Sequence, residues 1–258
     1  MEHEPWKQVN ITYPGSDPGQ REHQAVSHLA RILPAAEADG LIASWSFIRK
    51  GRWRVRYLLA DNGNENRDRV HPLLTDGVSW TNDIYEPEVH AFGGPASMHL
   101  AHTLFHHDSR HLLAFLHDNP AGRREHSLIL CTALMQAAGL DWTEQGDVWA
   151  RIADQRAGQP GQSPAPRVPA WESFTSGVRC LLLGTPRAST ISHDWLTAFA
   201  ETGTALRTLR DHGNLTRGIR AIIALHVIFH WNRIGLRATT QATLANAAKD
   251  AVFGSTSA

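Results

Sequence analysis

The 258-residue chain has only two cysteines, Cys131 and Cys180. Their apolar, helix-like contexts, LILCTALM and VRCLLLG, make them read as buried, reduced thiols rather than as a disulfide framework. Net charge is also missing, because 25 basic side chains stand against 25 acidic ones. That balance argues against a whole surface adapted to coat nucleic acid or an anionic membrane, although it leaves room for a local basic patch. Nothing approaches the roughly 20 apolar residues that span a bilayer, and the start, MEHEPWKQVN, has no apolar signal core. These absences predict a soluble, cytoplasmic protein with no membrane partner. There is also no GxGxxG, P-loop, GxSxG, HExxH, CxxC or kinase signature. Dehydrogenase, NTPase, serine-hydrolase and zinc-peptidase readings therefore lose their usual support.

What is present is a sizeable apolar fraction, 42% of the chain, with nine tryptophans and sixteen histidines. So much apolar surface can offset the entropy of ordering, and the length suits one large domain or two small ones. The histidine surplus raises metal or acid–base chemistry, which has to be tested position by position.

Residues 6–13 read as a strand, followed by a PGSDPG loop. Residues 21–39 carry Val26, Leu29, Ile32 and Leu33 at helical spacing and end at Gly40. Two strand-like runs, 41–48 and 53–59, flank the turn at Arg49, Lys50, Gly51 and Arg52, which is a hairpin signal. A short, weakly marked helix over 65–74 and a last strand over 77–85 complete a β-α-β-β-α-β order, that of a ferredoxin-like unit. After Gly93-Gly94-Pro95, helical patterns follow at 96–118, 122–138, 143–157, 171–183, 191–211, 216–234 and 238–252, interrupted by a Pro/Gly/Ser loop at 158–169. The predicted fold is α+β: a small ferredoxin-like sheet portion over residues 1–93 and a mainly helical portion over 94–258, forming one integrated domain.

Four clusters could carry chemistry. Residues 49–56 hold five cations, and in a strand Arg52, Arg54 and Arg56 project to one face opposite Trp53, Val55 and Tyr57. Such a row suits a carboxylate or phosphate, while a solvated face with ordinary acidic partners would give the same pattern. Tyr85-Glu86-Pro87-Glu88, followed by Phe92-Gly93-Gly94-Pro95, marks a strand end where glycines allow close backbone approach by a ligand. Glu86 or Glu88 could position a cation or a base there, or simply cap the next element. His99, His102 and His106 share a helix face, but no oxygen or sulfur ligand accompanies them. Packed histidines are the reading, with no metal or other cofactor expected. Finally, His226, His230, Asn232 and Arg233 crowd the end of an apolar helix before Gly235. They fit either a functional cavity or a polar C-terminal cap.

Taken in order, several of these runs resemble one family. They are Trp45-Ser46-Phe47-Ile48-Arg49-Lys50, Trp53-Arg54-Val55-Arg56, Tyr85 to Glu88 with Phe92-Gly93-Gly94, Ala138-Gly139-Leu140-Asp141-Trp142, Gly146-Asp147-Val148-Trp149, and Phe229-His230-Trp231-Asn232-Arg233-Ile234-Gly235. The conjunction, from Trp6 to about Ala248, is similar to the thiopeptide-type bacteriocin biosynthesis domain. That domain is the stand-alone form of the C-terminal elimination domain of class I lantibiotic dehydratases. The resemblance implies a lyase that expels glutamate from glutamylated Ser or Thr of a ribosomally made precursor peptide, leaving dehydroalanine or dehydrobutyrine. It also implies a separate glutamyl-tRNA-dependent dehydratase subunit as partner, and no cofactor.

Residue by residue, the resemblance assigns catalysis to His230, Arg56 and Arg54, with His230 as base. Substrate contacts fall to Arg49, Arg52, Tyr85, Glu88, Asn232 and Arg233. Fused members tend to place an arginine before the Gly-Gly pair, where this chain has Pro87, His90 and Ala91. Two alternatives stand beside elimination: a pyridine synthase joining two dehydroalanines by a formal [4+2] cycloaddition, and a non-catalytic subunit that binds peptide or dehydratase. Direct tRNA contact is not expected, and the oligomeric state stays open, a homodimer included.

Overall fold

The computed structural model describes residues 6–60, 68–118, 121–157, 168–184 and 191–254. Contacts divide the chain into two compact units, residues 1–87 with 105–121, and residues 88–104 with 122–258. One long helix therefore serves both, and the boundary does not run at a single point in the chain.

The first unit holds β1 (Lys7–Thr12), α1 (Pro18–Ala38), β2 (Ile42–Lys50), β3 (Arg52–Leu59), α2 (Val70–Thr75) and β4 (Ser79–Ile84). Asp17 caps α1 by accepting from the backbone N–H groups of Gly19 and Gln20, and Pro18 opens the helix where its missing N–H costs nothing. The sheet order is β2-β3-β1-β4, with every neighbouring pair antiparallel. This is the ferredoxin-like arrangement predicted from element order. The strands around the hairpin run further than expected: Lys50 pairs with Arg52 and the turn shrinks to Gly51 at φ +76°. The expected helix over 65–74 appears as α2 from Val70, residues 65–67 lying outside those described. Val9, Ile11, Trp45, Phe47, Trp53, Val55 and Tyr57 are buried on one face, with Val26, Leu29 and Leu33 of α1 and Val70 and Leu74 of α2.

The helix α3 (Pro95–His117) gives its second half to this unit and its first to the next. The second unit continues with α4 (Arg123–Ala137), α5 (Trp142–Arg156), α6 (Val168–Leu182), α7 (His193–Asp211), α8 (Ile219–Ile234) and α9 (Ala238–Phe253). Each matches a predicted helix within a few residues; the loop expected at 158–169 falls, up to residue 167, outside those described. At its core α8 is apolar nearly all round, as a helix enclosed by others must be. Asp141 and Glu144 form a capping box at the start of α5, and Gly235 closes α8 in the left-handed region at φ +85°. Glycines set two close crossings. A Cβ on Gly146 of α5 would run into Phe253 of α9, and one on Gly203 of α7 into the Leu134 carbonyl of α4.

The structure corrects one expectation about the thiols. Cys131 is buried, but Cys180 is exposed, because α6 turns Thr175, Val178 and Leu182 inward and leaves position 180 on the opposite side. Among the described residues, no helix is long and apolar enough to cross a membrane.

Candidate active site

The three arginines of β3 do share a face. Along β3 buried Trp53, Val55 and Tyr57 alternate with exposed Arg52 and half-buried Arg54 and Arg56. Register then decides their neighbours. Arg56 lies in one cross-strand row with Ser46 of β2, Gln8 of β1 and, beyond it, Asp83 of β4. Arg54 lies in the next row, with Ile48, Asn10 and Thr81. Gln8 and Ser46 are buried although they sit on this polar face.

Arg56 is held from two sides. Its Nε donates to Gln8 Oε1 at 2.8 Å, and its guanidinium lies 4.0 Å over the ring of Tyr85. Tyr85 is in turn met edge-on by Trp6 at 6.1 Å. A planar guanidinium fixed by a hydrogen bond and an aromatic face loses little freedom when it grips an anion. Arg52 makes one long contact, from Nη1 to Thr81 Oγ1 at 3.4 Å.

The row also contains a residue that the sequence reading missed. Asp83 Oδ2 accepts from Gln8 Nε2 at 2.7 Å and from Asn10 Nδ2 at 3.0 Å. Those bonds, Asn10 foremost, together with the Ile84 N–H and the Arg54 charge, hold its carboxyl below the usual range, so it is an anion at neutral pH. The available signal was period-two alternation in β4, which places Asp83 with Thr81. Its pairing with the arginine face needed the strand order.

Arg49 behaves differently. It stands opposite Trp53, on the apolar face, where Nη1 pairs with Glu22 Oε2 of α1 at 2.5 Å and the guanidinium covers Trp53 at 4.7 Å. Glu88 is exposed in the turn after β4, and its carbonyl accepts from the Phe92 N–H at 2.9 Å.

In the second unit, α8 presents His226 and His230 one turn apart, both fully buried. His226 meets the edge of Phe92 at 5.1 Å; burial, and then the charge of Arg233, pull its pKa down to about 3, so it is neutral in the fold. The ring of His230 stands edge-on to Phe199 at 5.2 Å and 6.4 Å from Trp195, both on α7. Arg233 is buried as well. Asn232 points elsewhere: its Oδ1 accepts from Gln241 Nε2 of α9 at 3.0 Å. Gln241 also donates to the Leu236 carbonyl at 2.8 Å and accepts from Arg156 Nε of α5 at 2.8 Å. Because arginine only donates, this chain of bonds sets both amides, and the Asn232 NH2 is the group left out of it. Gln241 had no local signal, since α9 brings it there across nine residues.

At Gly93 the predicted close backbone approach is real, but its occupant is protein. Gly93 is at φ +86°, a Cβ there would collide with Ile222 of α8, and the Gly93 carbonyl accepts from the Thr216 N–H at 3.0 Å. His106 is likewise engaged, Nδ1 with the Trp45 carbonyl at 3.0 Å and Nε2 with Glu37 at 3.2 Å. Among the described residues no group of three or more His, Cys, Asp or Glu side chains is placed to hold a metal ion.

The sequence profile of the lantibiotic biosynthesis dehydratase C-terminal domain matches residues 6–252. The chain belongs to that family. This bears out the resemblance read from the ordered motifs. Among solved structures, this family member is similar to the tRNA-dependent lantibiotic dehydratase MibB from Microbispora sp. 107891, with a TM-score of 0.65 and 19% identity. The match covers 98% of the chain but only 28% of MibB, so the chain spans less than a third of that enzyme. TsrL matches with a TM-score of 0.65 and 16% identity over 95% of both chains. TbtD, a pyridine synthase from thiomuracin biosynthesis, matches with a TM-score of 0.63 and 14% identity over 96% of this chain and 98% of its own. At such identities the likeness establishes the fold. No curated protein matches.

Proposed function

We propose that the chain is a peptide-modifying lyase that removes glutamate from glutamylated Ser or Thr of a precursor peptide supplied by a separate glutamyl-transferring subunit. The observation that carries this reading is Arg56, a guanidinium held by Gln8 and Tyr85 in a face of three arginines. In the proposed step a base takes the Cα proton of the esterified residue, the Cα–H electron pair becomes the C=C bond, and the Cβ–O bond breaks with its pair on the departing glutamate carboxylate. Arg56 and Arg54 hold that carboxylate and oppose its growing charge, with Arg52 and Tyr85 beside them. His230 is the proposed base; it is fully buried against Trp195 and Phe199, so that role requires a local opening around its ring. Asn232 contributes its amide NH2, and Arg233 keeps the neighbourhood cationic. Arg49, tied to Glu22, acts by supporting Trp53 beneath the arginine row, and Glu88 contributes through the turn that it helps to close.

Pyridine synthesis is the second reading, favoured by the end-to-end likeness to TbtD. Incubating the purified protein with a glutamylated peptide and, separately, with a dehydrated peptide distinguishes the two by mass spectrometry. Loss of glutamate without a macrocycle supports elimination, and turnover of only the dehydrated peptide overturns it. Under elimination, His230→Ala lowers turnover by roughly 10²–10⁴-fold and Arg56→Ala by roughly 10²–10³-fold, while peptide binding survives in both. Undiminished turnover in both variants refutes these residue assignments, and absence of any turnover with intact peptide binding favours a non-catalytic subunit.

A further inference from the structure

The sheet of the first unit treats its two edges differently. The outer backbone of β2 is occupied by the second half of α3, where the Trp45 carbonyl accepts from His106 Nδ1 at 3.0 Å and the Phe47 N–H donates to Ser109 Oγ at 3.2 Å. A register irregularity between Ile42 and Ser44 and the cations Arg49 and Lys50 blunt that edge further. The β4 edge has none of these protections. All six of its residues are exposed, and among the described residues β1 is its one strand neighbour and no backbone group of another segment bonds its outer side. It contains no Pro, Lys or Arg, and its single charge, Asp83, is engaged on the arginine face by Gln8 and Asn10. On the opposite face His71 of α2 stands against the Trp80 ring at 4.8 Å and bonds Asn82 Oδ1 at 3.0 Å, leaving Trp80 41% exposed and Ile84 84% exposed. A strand edge left open in this way, with two exposed apolar side chains beside it, is a template for another strand.

We propose that the β4 edge pairs with the β4 edge of a second copy of this chain, antiparallel and centred on Asn82. A two-fold axis normal to the sheet keeps each side chain on its own face, so the centre must fall on a residue rather than between two. For a six-residue strand, only centres at Thr81 and Asn82 bring five residues of each copy into register. Centring on Thr81 sets Trp80 against Asn82 and Ser79 against Asp83. Centring on Asn82 sets Trp80 against Ile84 twice, covering both exposed apolar side chains, and Thr81 against Asp83 twice, a hydroxyl donor facing a carboxylate. No like charges meet, and the strand is complementary to itself in this register. The arginine faces of the two copies then lie on the same side of one continuous sheet.

Strands this short bury an area near or below the roughly 1,200 Å² at the low end of stable interfaces, so pairing is weak and concentration-dependent. Sedimentation velocity on the full chain over a rising concentration series is expected to show a monomer–dimer shift. Ile84→Lys, a change at an exposed position that leaves the melting temperature alone, abolishes it. In a Cys180→Ser background, Asn82→Cys forms a disulfide-linked dimer on mild oxidation, whereas Thr81→Cys does not, because its partner sulfur is two residues out of register. A protein that stays monomeric throughout, a dimer indifferent to Ile84→Lys, or preferential cross-linking at position 81 overturns the proposal. So does a monomer whose β4 amides gain protection from hydrogen exchange only when a precursor peptide is added, which would assign the edge to the peptide.

Discussion

Burial and a neighbouring cation act in the same direction at His226, and the consequence can be measured. Its pKa is about 3 in the fold, against an ordinary 6.5. Between those values the unfolded chain binds the extra proton, so stability rises with pH; this contribution is complete above about 6.5 and is lost as pH falls toward 3. Urea unfolding at successive pH values is expected to show a component of up to about 1.4 kcal/mol per pH unit in that window. It should disappear in His226→Gln, and equal slopes in both proteins would show that other groups carry the acid sensitivity. Arg56 makes a second case at this scale. Lysine can replace its charge but not the planar group that uses Nε for Gln8 and its face for Tyr85. Arg56→Lys is therefore expected to cut kcat/KM on a glutamylated peptide about tenfold to a hundredfold. The same change at exposed Arg52, with its one long contact, should leave turnover near the wild-type level. Alternation in the sequence was enough to put Arg52, Arg54 and Arg56 on one face. It could not reveal that Asp83 shares the face, because that depends on which strands lie side by side.

Elements show the same division between local and non-local information. The helices from α3 to α9 were legible because each carries apolar residues at helical spacing between local start and stop signals, such as the glycine after α8. What they pack against was not legible. Gly93 reads as a turn residue suited to a ligand, yet the side chain that fills its missing Cβ belongs to Ile222, more than a hundred residues on. Gly93→Ala must adopt φ +86° and displace Ile222 together, so a loss of about 1–3 kcal/mol is expected in denaturant melts. A change of less than a few tenths would mean that α8 yields easily at that point. Asn232 shows how an apparent site residue can have a second task, since the bonds through Gln241 and Arg156 fasten α5, α8 and α9 while fixing its amide.

For the whole molecule, a formal charge of zero conceals a local concentration: three arginines line one sheet face while acidic side chains are spread along the chain. Bulk tRNA needs many phosphate contacts over a broad basic surface, and a single row is suited to a small anion instead. Filter binding at physiological salt should accordingly detect no retention of tRNA. Retention that weakens steeply with salt would assign the arginine face to nucleic acid. By itself the sequence determined the element order, the alternating faces, the helix ends and the membership of the lantibiotic dehydratase C-terminal family, because all of these are written in local spacing or in motifs taken in order. Tertiary structure alone decided that Arg49 turns away from the arginine row to Glu22, that Asp83 joins it, that Cys180 is exposed, and that one sheet edge is covered while the other is bare. Each of these outcomes depends on which distant segment arrives alongside, and spacing along a single chain carries no record of that.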